Sequence, residues 1–225
     1  MSSLQTIATG SKGNAYILTD RKGNQLLLDA GVKRADIVKG LNFSISGLSG
    51  CVVSHAHGDH SKAVEDIKMM GIDVWQPYLD ENKRQIHKFK GFSVQSFPVE
   101  HDGEPCVGYY IKFDDRKMLY LTDLEYCSYS FFNQGITDML VECNYMKKFL
   151  IRDAENFGHK VRGHFSLENL LKFIEVNQTP TLCNIIICHM SSATMDVDEC
   201  ISEIKQVAMP FTDVYAARKG KVIRL

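Results

Sequence analysis

Between a short apolar run at residues 51–54 and a helical periodicity beginning at Ser61, the chain reads His55-Ala56-His57-Gly58-Asp59-His60. Four side chains of metal-ligand type lie in six positions, and only Ala and Gly separate them, so the backbone is free to turn the donors toward one point. The run before reads as a buried strand and the periodicity after as a helix. The cluster is therefore a strand-to-helix loop, the context in which such a motif carries chemistry rather than being a solvated histidine-rich turn. Imidazole and carboxylate donors suit zinc, and also manganese or iron. The lack of Cys in the cluster argues against a closed structural thiolate site.

The rest of the chain alternates in a way that defines its class. Apolar runs predict strands at 4–8, 15–19, 25–29, 72–75, 92–97, 107–113, 117–122, 139–142, 184–188, 213–216 and 221–225, and helical spacing predicts helices at 32–41, 61–70, 166–176 and 197–207. Two strand-rich blocks, each followed by helices, predict an α+β protein with two sheets face to face and helices outside. No linker, repeat or low-complexity tract interrupts this, so residues 1–225 are expected to form a single domain.

Composition excludes several functions. With 225 residues, 44% hydrophobic and 24% charged, this is an ordinary globular composition. A net charge of −1 gives no global field for holding a polyanion, so a non-specific nucleic-acid coat protein is excluded. The 7 Cys are odd in number, scattered, and never in Cys-x-x-Cys spacing, so they are expected as reduced thiols. No basic-then-apolar leader pattern and no apolar run near the ~20 residues of a membrane span is seen, which places the chain in the cytoplasm with no membrane partner.

Two metal ions need more donors than one loop holds. His101, Asp123 and His189 each follow an apolar run at a predicted strand end, although each taken alone reads equally well as a hydrogen-bonded core residue. His55-x-His57-x-Asp59-His60 followed by His101, Asp123 and His189 resembles the metallo-β-lactamase superfamily over nearly the whole chain. That resemblance implies a four-layer αββα sandwich with a dinuclear site: His55, His57 and His101 on one ion, Asp59, His60 and His189 on the other, Asp123 bridging. Gly10-Ser11-Lys12-Gly13-Asn14, Glu142-Cys143-Asn144-Tyr145, His164-Phe165-Ser166 and His189-Met190-Ser191 further resemble the YycJ/WalJ-like branch, described as 5′ to 3′ DNA exonuclease-like and related to tRNase Z. The chain departs from that branch at Cys143, Tyr145, Phe165 and Met190. It has no long insertion of the kind tRNase Z uses to grip tRNA, which disfavours tRNA 3′ processing.

The resemblance implies a hydrolase with two divalent ions, zinc or manganese with iron also admissible, and a bound hydroxide as nucleophile. Asp59 and His164 are its expected catalytic residues, with His164 donating a proton to the departing oxygen; the structural alternative makes residue 164 a lead-in to a helix capped by Ser166. Ser11, Asn14 and Ser191 are candidate substrate-binding residues, and the turn at 10–14 is either a phosphate cradle or only a tight turn. Glu142 and Asn144 are candidates for bracing a ligand histidine, and a carboxylate capping the loop backbone is the equal alternative. Two basic stretches, at 83–90 and 158–162, with Lys147, Lys148, Arg152 and the rings of Phe89, Phe149 and Phe157, read either as a phosphate-backbone groove or as solvated faces. The expected substrate is nucleic acid, DNA or RNA. The alternatives are a small phosphodiester such as a cyclic nucleotide, another ester or amide hydrolysed on the same fold, or a metal-binding module without activity. Oligomeric state stays open, with a homodimer as one option.

Overall fold

The computed structural model describes residues 1–151 and 157–225; Arg152 lies outside the described residues. The first half of the chain runs β1 (Ser3–Ala8), β2 (Ala15–Thr19), β3 (Gln25–Leu28), α1 (Arg34–Gly40), β4 (Leu48–Val52), α2 (Gly58–Ser61), α3 (Val64–Met69) and β5 (Val74–Trp75). The second runs β6 (Ile86–Phe89), β7 (Phe92–Val99), β8 (Cys106–Phe113), β9 (Arg116–Leu121), β10 (Asp138–Glu142), α4 (Phe157–Gly163), α5 (Leu167–Asn177), β11 (Asn184–Cys188), α6 (Val197–Val207), β12 (Asp213–Ala216) and β13 (Val222–Arg224). They form a six-stranded sheet, β13-β1-β2-β3-β4-β5, and a seven-stranded sheet, β12-β11-β10-β9-β8-β7-β6.

Strands buried on both faces explain why the sequence reads as unbroken apolar runs rather than alternating ones. On β8 to β11, Tyr109, Ile111, Met118, Tyr120, Leu140 and Ile186 point into the core between the sheets. Their neighbours Tyr110, Leu119, Leu121, Met139, Val141 and Ile185 point the other way, under Leu170 and Ile174 of α5 and Cys200 and Ile204 of α6. On the first sheet, α1 packs against β1 and α3 against β5. The order of layers is thus helix, sheet, sheet, helix.

Three elements differ from the sequence expectation. The helix expected at 61–70 is two short pieces, α2 and α3, because the ligand loop itself coils into a turn from Gly58 before the chain recoils at Val64. Neither β6 nor α4 was expected. Strand β6 is an edge strand with Ile86 exposed and His87 paired to Asp73, and it reads as a charge run in sequence. Helix α4 is a short segment with glycine at its second and last positions, Gly158 and Gly163.

What matters for function is where strands stop. β9, β10 and β11 are parallel and in register, with Leu121 beside Val141 and Glu142 beside Cys188, so their carboxyl ends share one edge. β3 and β4 are parallel as well, with Leu28 beside Val52. The backbone hydrogen bond from Val107 N to Ser54 O, 3.0 Å, and the bond that His189 N donates to the Thr9 hydroxyl, 2.9 Å, hold the two edges together. Ligands lodge at the carboxyl ends of parallel strands as a general rule.

Candidate metal centre

Each sequence-predicted metal ligand arrives at that shared edge. His55, His57, Asp59 and His60 follow β4, His101 follows β7, Asp123 follows β9, and His189 follows β11. Asp123 and His189 leave their strands with φ of 49° and 47°, and Asp29, just past β3, has φ of 57°. Left-handed backbone at a residue other than glycine costs about 1 kcal/mol or more and persists where the surroundings over-determine it, commonly at functional sites. Here it bends each side chain back over the strand end.

In one group His55, His57 and His101 converge. His57 Nδ1 is 3.0 Å from His55 Nε2 and 3.2 Å from His101 Nε2, while His55 Nε2 is 3.2 Å from Asp123 Oδ2. Donors bound at 2.0–2.1 Å in a tetrahedron would lie roughly 3.3 Å apart, so these four atoms fit a divalent ion. The outer nitrogens are held too: His101 Nδ1 donates to the Gly163 carbonyl at 2.8 Å, and His55 Nδ1 lies 3.0 Å from Ser54 Oγ. Burial, then the neighbouring His55, pushes His101 down to about 4, which keeps it in the neutral form that ligation needs.

The second group is Asp59, His60, Asp123 and His189, so Asp123 is common to both. Asp59 Oδ2 lies 3.5 Å from both His60 Nε2 and His189 Nε2, and His60 Nε2 is 3.1 Å from Asp123 Oδ2. His189 Nε2 is buried without a hydrogen-bond partner. An orphaned imidazole nitrogen facing a carboxylate is what a ligand position looks like. The charge balance agrees: although burial alone would lower them, Asp123 holds both His60 and His189 well above the ordinary histidine range. The pocket is a sink for positive charge, and this nitrogen and oxygen donor set fits divalent cations.

Around the donors is a set of braces. His60 Nδ1 donates to Asp29 Oδ2 at 2.6 Å, and Asp29 also accepts from Ser54 N at 2.7 Å and from the Tyr120 hydroxyl. Glu142 Oε1 accepts from His189 Nδ1 at 2.9 Å and His164 Nδ1 at 2.7 Å, and Asn144 Nδ2 donates to the His189 carbonyl at 2.8 Å. Both Glu142 and Asn144 thus brace His189, and Glu142 also caps loop backbone by accepting from Leu124 N and Phe165 N. Asp29 escaped sequence reading; its only signal is a lone carboxylate after Leu26-Leu27-Leu28, the same placement that marked Asp123. Gly31 is a further brace. A Cβ there would lie 1.6 Å from the Asp59 carbonyl oxygen, and the struck atom is backbone. Gly31→Ala is expected to displace the ligand loop, with a loss of about 1–3 kcal/mol or more of stability and of bound metal. Metal analysis and thermal unfolding of that variant check this; wild-type values in both would show that the contact is idle.

Five of the donors, His57, Asp59, His101, Asp123 and His189, line a cleft of about 490 Å³, with His55 and His60 buried behind them. His164 lines it beside them, and although burial alone would lower its pKa, the Glu142 charge holds it up at about 9. Ser166 does cap α5 by accepting from Asn169 N at 3.1 Å, yet this leaves the His164 ring in the cleft. Ser11 and Ser191 also line the cleft, whereas Asn14 is fully buried and does not. Its amide meets Gly10 and His60, and Gly13 N and Asn14 N donate to Gly10 O and Asp59 O, so the 10–14 turn braces the ligand loop instead of cradling a phosphate. The basic stretches divide: His159 and Lys160 reach the cleft, while Arg162 pairs with Asp102 on its exposed side and Lys148 with Glu199.

Comparison with known proteins adds the family context. The metallo-β-lactamase fold protein YhfI of Bacillus subtilis superposes with a TM-score of 0.76, covering 99% of this chain and 98% of that one at 16% identity. The chain has the metallo-β-lactamase fold. A diphosphatase of the PhnP family shares this metallo-β-lactamase fold with a TM-score of 0.64, covering 100% and 98% of the two chains at 13% identity. In sequence, the exodeoxyribonuclease YycJ of Bacillus anthracis is 28% identical over 145 residues, 54% of this chain. The match spans about half of that relative's length, 54%. No protein-family model matches. Among the described residues no helix is long and apolar enough to cross a membrane.

Proposed function

We propose that residues 1–225 form one metal-dependent hydrolase domain, a phosphodiesterase that removes nucleotides from the end of a DNA or RNA strand. The observation that carries this is a pair of donor groups joined through Asp123 on the floor of a cleft, with His164 at their side. The likeness to an exodeoxyribonuclease supports the substrate, and unpaired cysteines throughout the described residues agree with a reducing cytoplasm.

His55, His57 and His101 would hold one ion, zinc or manganese with iron also admissible, and Asp59, His60 and His189 a second, with Asp123 between. Such ions supply a hydroxide near neutral pH and offset the charge of a phosphodiester. The chain's own groups do the rest. His164, held above the ordinary histidine range by the Glu142 charge and 14% exposed on its side chain, faces the cleft with a proton to give to a departing oxygen. Glu142 fixes which ring nitrogen carries the shared hydrogen bond, leaving Nε2 of His164 for the substrate side. Asp59, with 24% of its side chain exposed, is the carboxylate of the set most open to an incoming substrate.

His164→Asn is expected to lower kcat by about 10²- to 10⁴-fold with metal content unchanged. A parallel loss of metal would make His164 a ligand instead. The reading as a whole is tested by incubating metal-loaded protein and its Asp59→Ala variant with end-labelled single-stranded DNA and RNA beside bis-p-nitrophenyl phosphate. End-dependent shortening that vanishes in the variant is the expected result. The cleft volume is within the small-molecule range, which favours a small phosphodiester as the second reading; turnover of bis-p-nitrophenyl phosphate without strand shortening would select it. No phosphodiester turnover at all would discard both.

A further inference from the structure

Lys160 is the one cation among the described residues lining the cleft apart from its histidines. Its ammonium donates to Ser191 Oγ at 3.1 Å and to Thr194 Oγ1 at 2.7 Å. An ammonium has three N–H donors, so this arrangement leaves one. Among the described residues no carboxylate lies within ion-pair distance of it. Both neighbouring basic residues differ in this respect, since His159 and Arg162 are turned to Asp102.

Its position is fixed from two sides. On one, Ser191 is two residues beyond the ligand His189, and Ser191 N donates to the Asn144 carbonyl at 3.0 Å while Asn144 holds the His189 carbonyl. On the other, Lys160 sits in α4, whose last residue Gly163 accepts at its carbonyl from His101 Nδ1 at 2.8 Å and directly precedes His164. The ammonium is therefore tied to the wall of the cleft that His164, Asp59, Asp123 and His189 also line. Half-burial strengthens any anion contact it makes, because the screening by water is reduced. It also lowers the ordinary lysine pKa through desolvation, which the Glu142 charge offsets only in part.

We propose that Lys160, with Ser191, is a subsite for a second, non-scissile phosphate of the substrate. This rests on the phosphodiesterase reading above and sharpens it: the substrate has a phosphate beyond the one that is cleaved, as an oligonucleotide does and a cyclic mononucleotide does not. Lys160 is a specificity-determining residue and takes no part in bond making.

The test uses dinucleotides that differ only by that group: TpT, which has a single phosphate, and pTpT and TpTp, which carry one more at either end. Both kcat/KM and equilibrium Kd are measured for wild type, Lys160→Met and Lys160→Arg, with circular dichroism and metal content as controls for folding. Wild type is expected to prefer one of the two-phosphate compounds over TpT by about ten-fold, the scale of one charge-assisted hydrogen bond. Lys160→Met should bring the ratio to about one, and Lys160→Arg should retain it, because the charge is kept. The ratio is insensitive to a general loosening of the 190–194 loop, which would weaken all three compounds together. A wild-type ratio near one, or a ratio unchanged in Lys160→Met, overturns the subsite. If none of the three is cleaved, the phosphodiesterase reading falls, and the Kd ratio still decides for or against a phosphate site at Lys160.

Discussion

Asp123→Asn is expected to cut hydrolysis by a factor on the order of 10⁴, the scale seen when one member of an interdependent catalytic set is removed. The substitution preserves shape and removes charge. Asp123 Oδ2 lies 3.2 Å from His55 Nε2 and 3.1 Å from His60 Nε2, and its other oxygen faces His189. An amide offers one acceptor where the carboxylate offers two, and its NH₂ end would face imidazole nitrogens or a cation. Metal content should therefore fall from about two ions per chain toward one or none. Elemental analysis of the purified variant, beside turnover of bis-p-nitrophenyl phosphate, reads both effects. Two ions and an unchanged rate would mean that Asp123 joins the two groups only in space.

Glu142→Ala should produce the largest loss of stability. This carboxylate is fully buried and accepts from four donors: Leu124 N at 3.3 Å, Phe165 N at 3.2 Å, and the Nδ1 atoms of His164 and His189. Removing one partner of a buried charged network costs about 3–5 kcal/mol, because the others are left unpaired in the interior. For a chain of this size that corresponds to roughly 10 °C in Tm. Metal affinity should drop by about 10- to 100-fold as His189 loses its orienting bond. Glu142→Gln, which keeps an acceptor oxygen, is expected to be milder in stability and similar in metal affinity. Thermal melts and competition with a metal chelator separate the two effects. A melt within a degree or two of wild type for Glu142→Ala would remove Glu142 from the supporting network.

The parts of this molecule legible in sequence are those whose signal is local. β11, α6 and β12 fall on the residues expected because each is a run of apolar positions between turn residues, buried enough that no polar face blurs the pattern. The clustering of the candidate donors was legible for a similar reason: histidines and an aspartate directly after apolar runs have little to do in a strand end except reach past it. β6 was not legible, since only Phe89 of its four residues is buried, packed where a Cβ on Gly50 would strike its ring. α4 has only one buried residue, Gly163, and no apolar stripe for periodicity to detect. Asp29 was missed, and Lys160 was read only as one member of a basic stretch, because their ties arise across the fold. Asp29 meets His60 from the neighbouring strand end, and Lys160 meets Ser191 from a separate loop. The same distance explains why Asn14 was placed wrongly at the substrate: its tie to His60 spans 46 positions.

The partition of the donors along the chain has a temporal consequence. The loop with His55, His57, Asp59 and His60 belongs to the first sheet, which is completed only when β13 pairs with β1, Leu4 beside Ile223. His189 comes from the second sheet, more than half the chain later. During synthesis the early donors emerge long before their partners and before either sheet can close. Contacts this far apart in sequence form late, after the loop between them has been ordered. An ion meeting the nascent chain finds a few flexible imidazoles with weak affinity, and the tight, paired arrangement exists only once the topology is whole. The molecule thus acquires its shape first and its metals afterwards, and the choice of metal is made by the finished protein from whatever ions the compartment then offers.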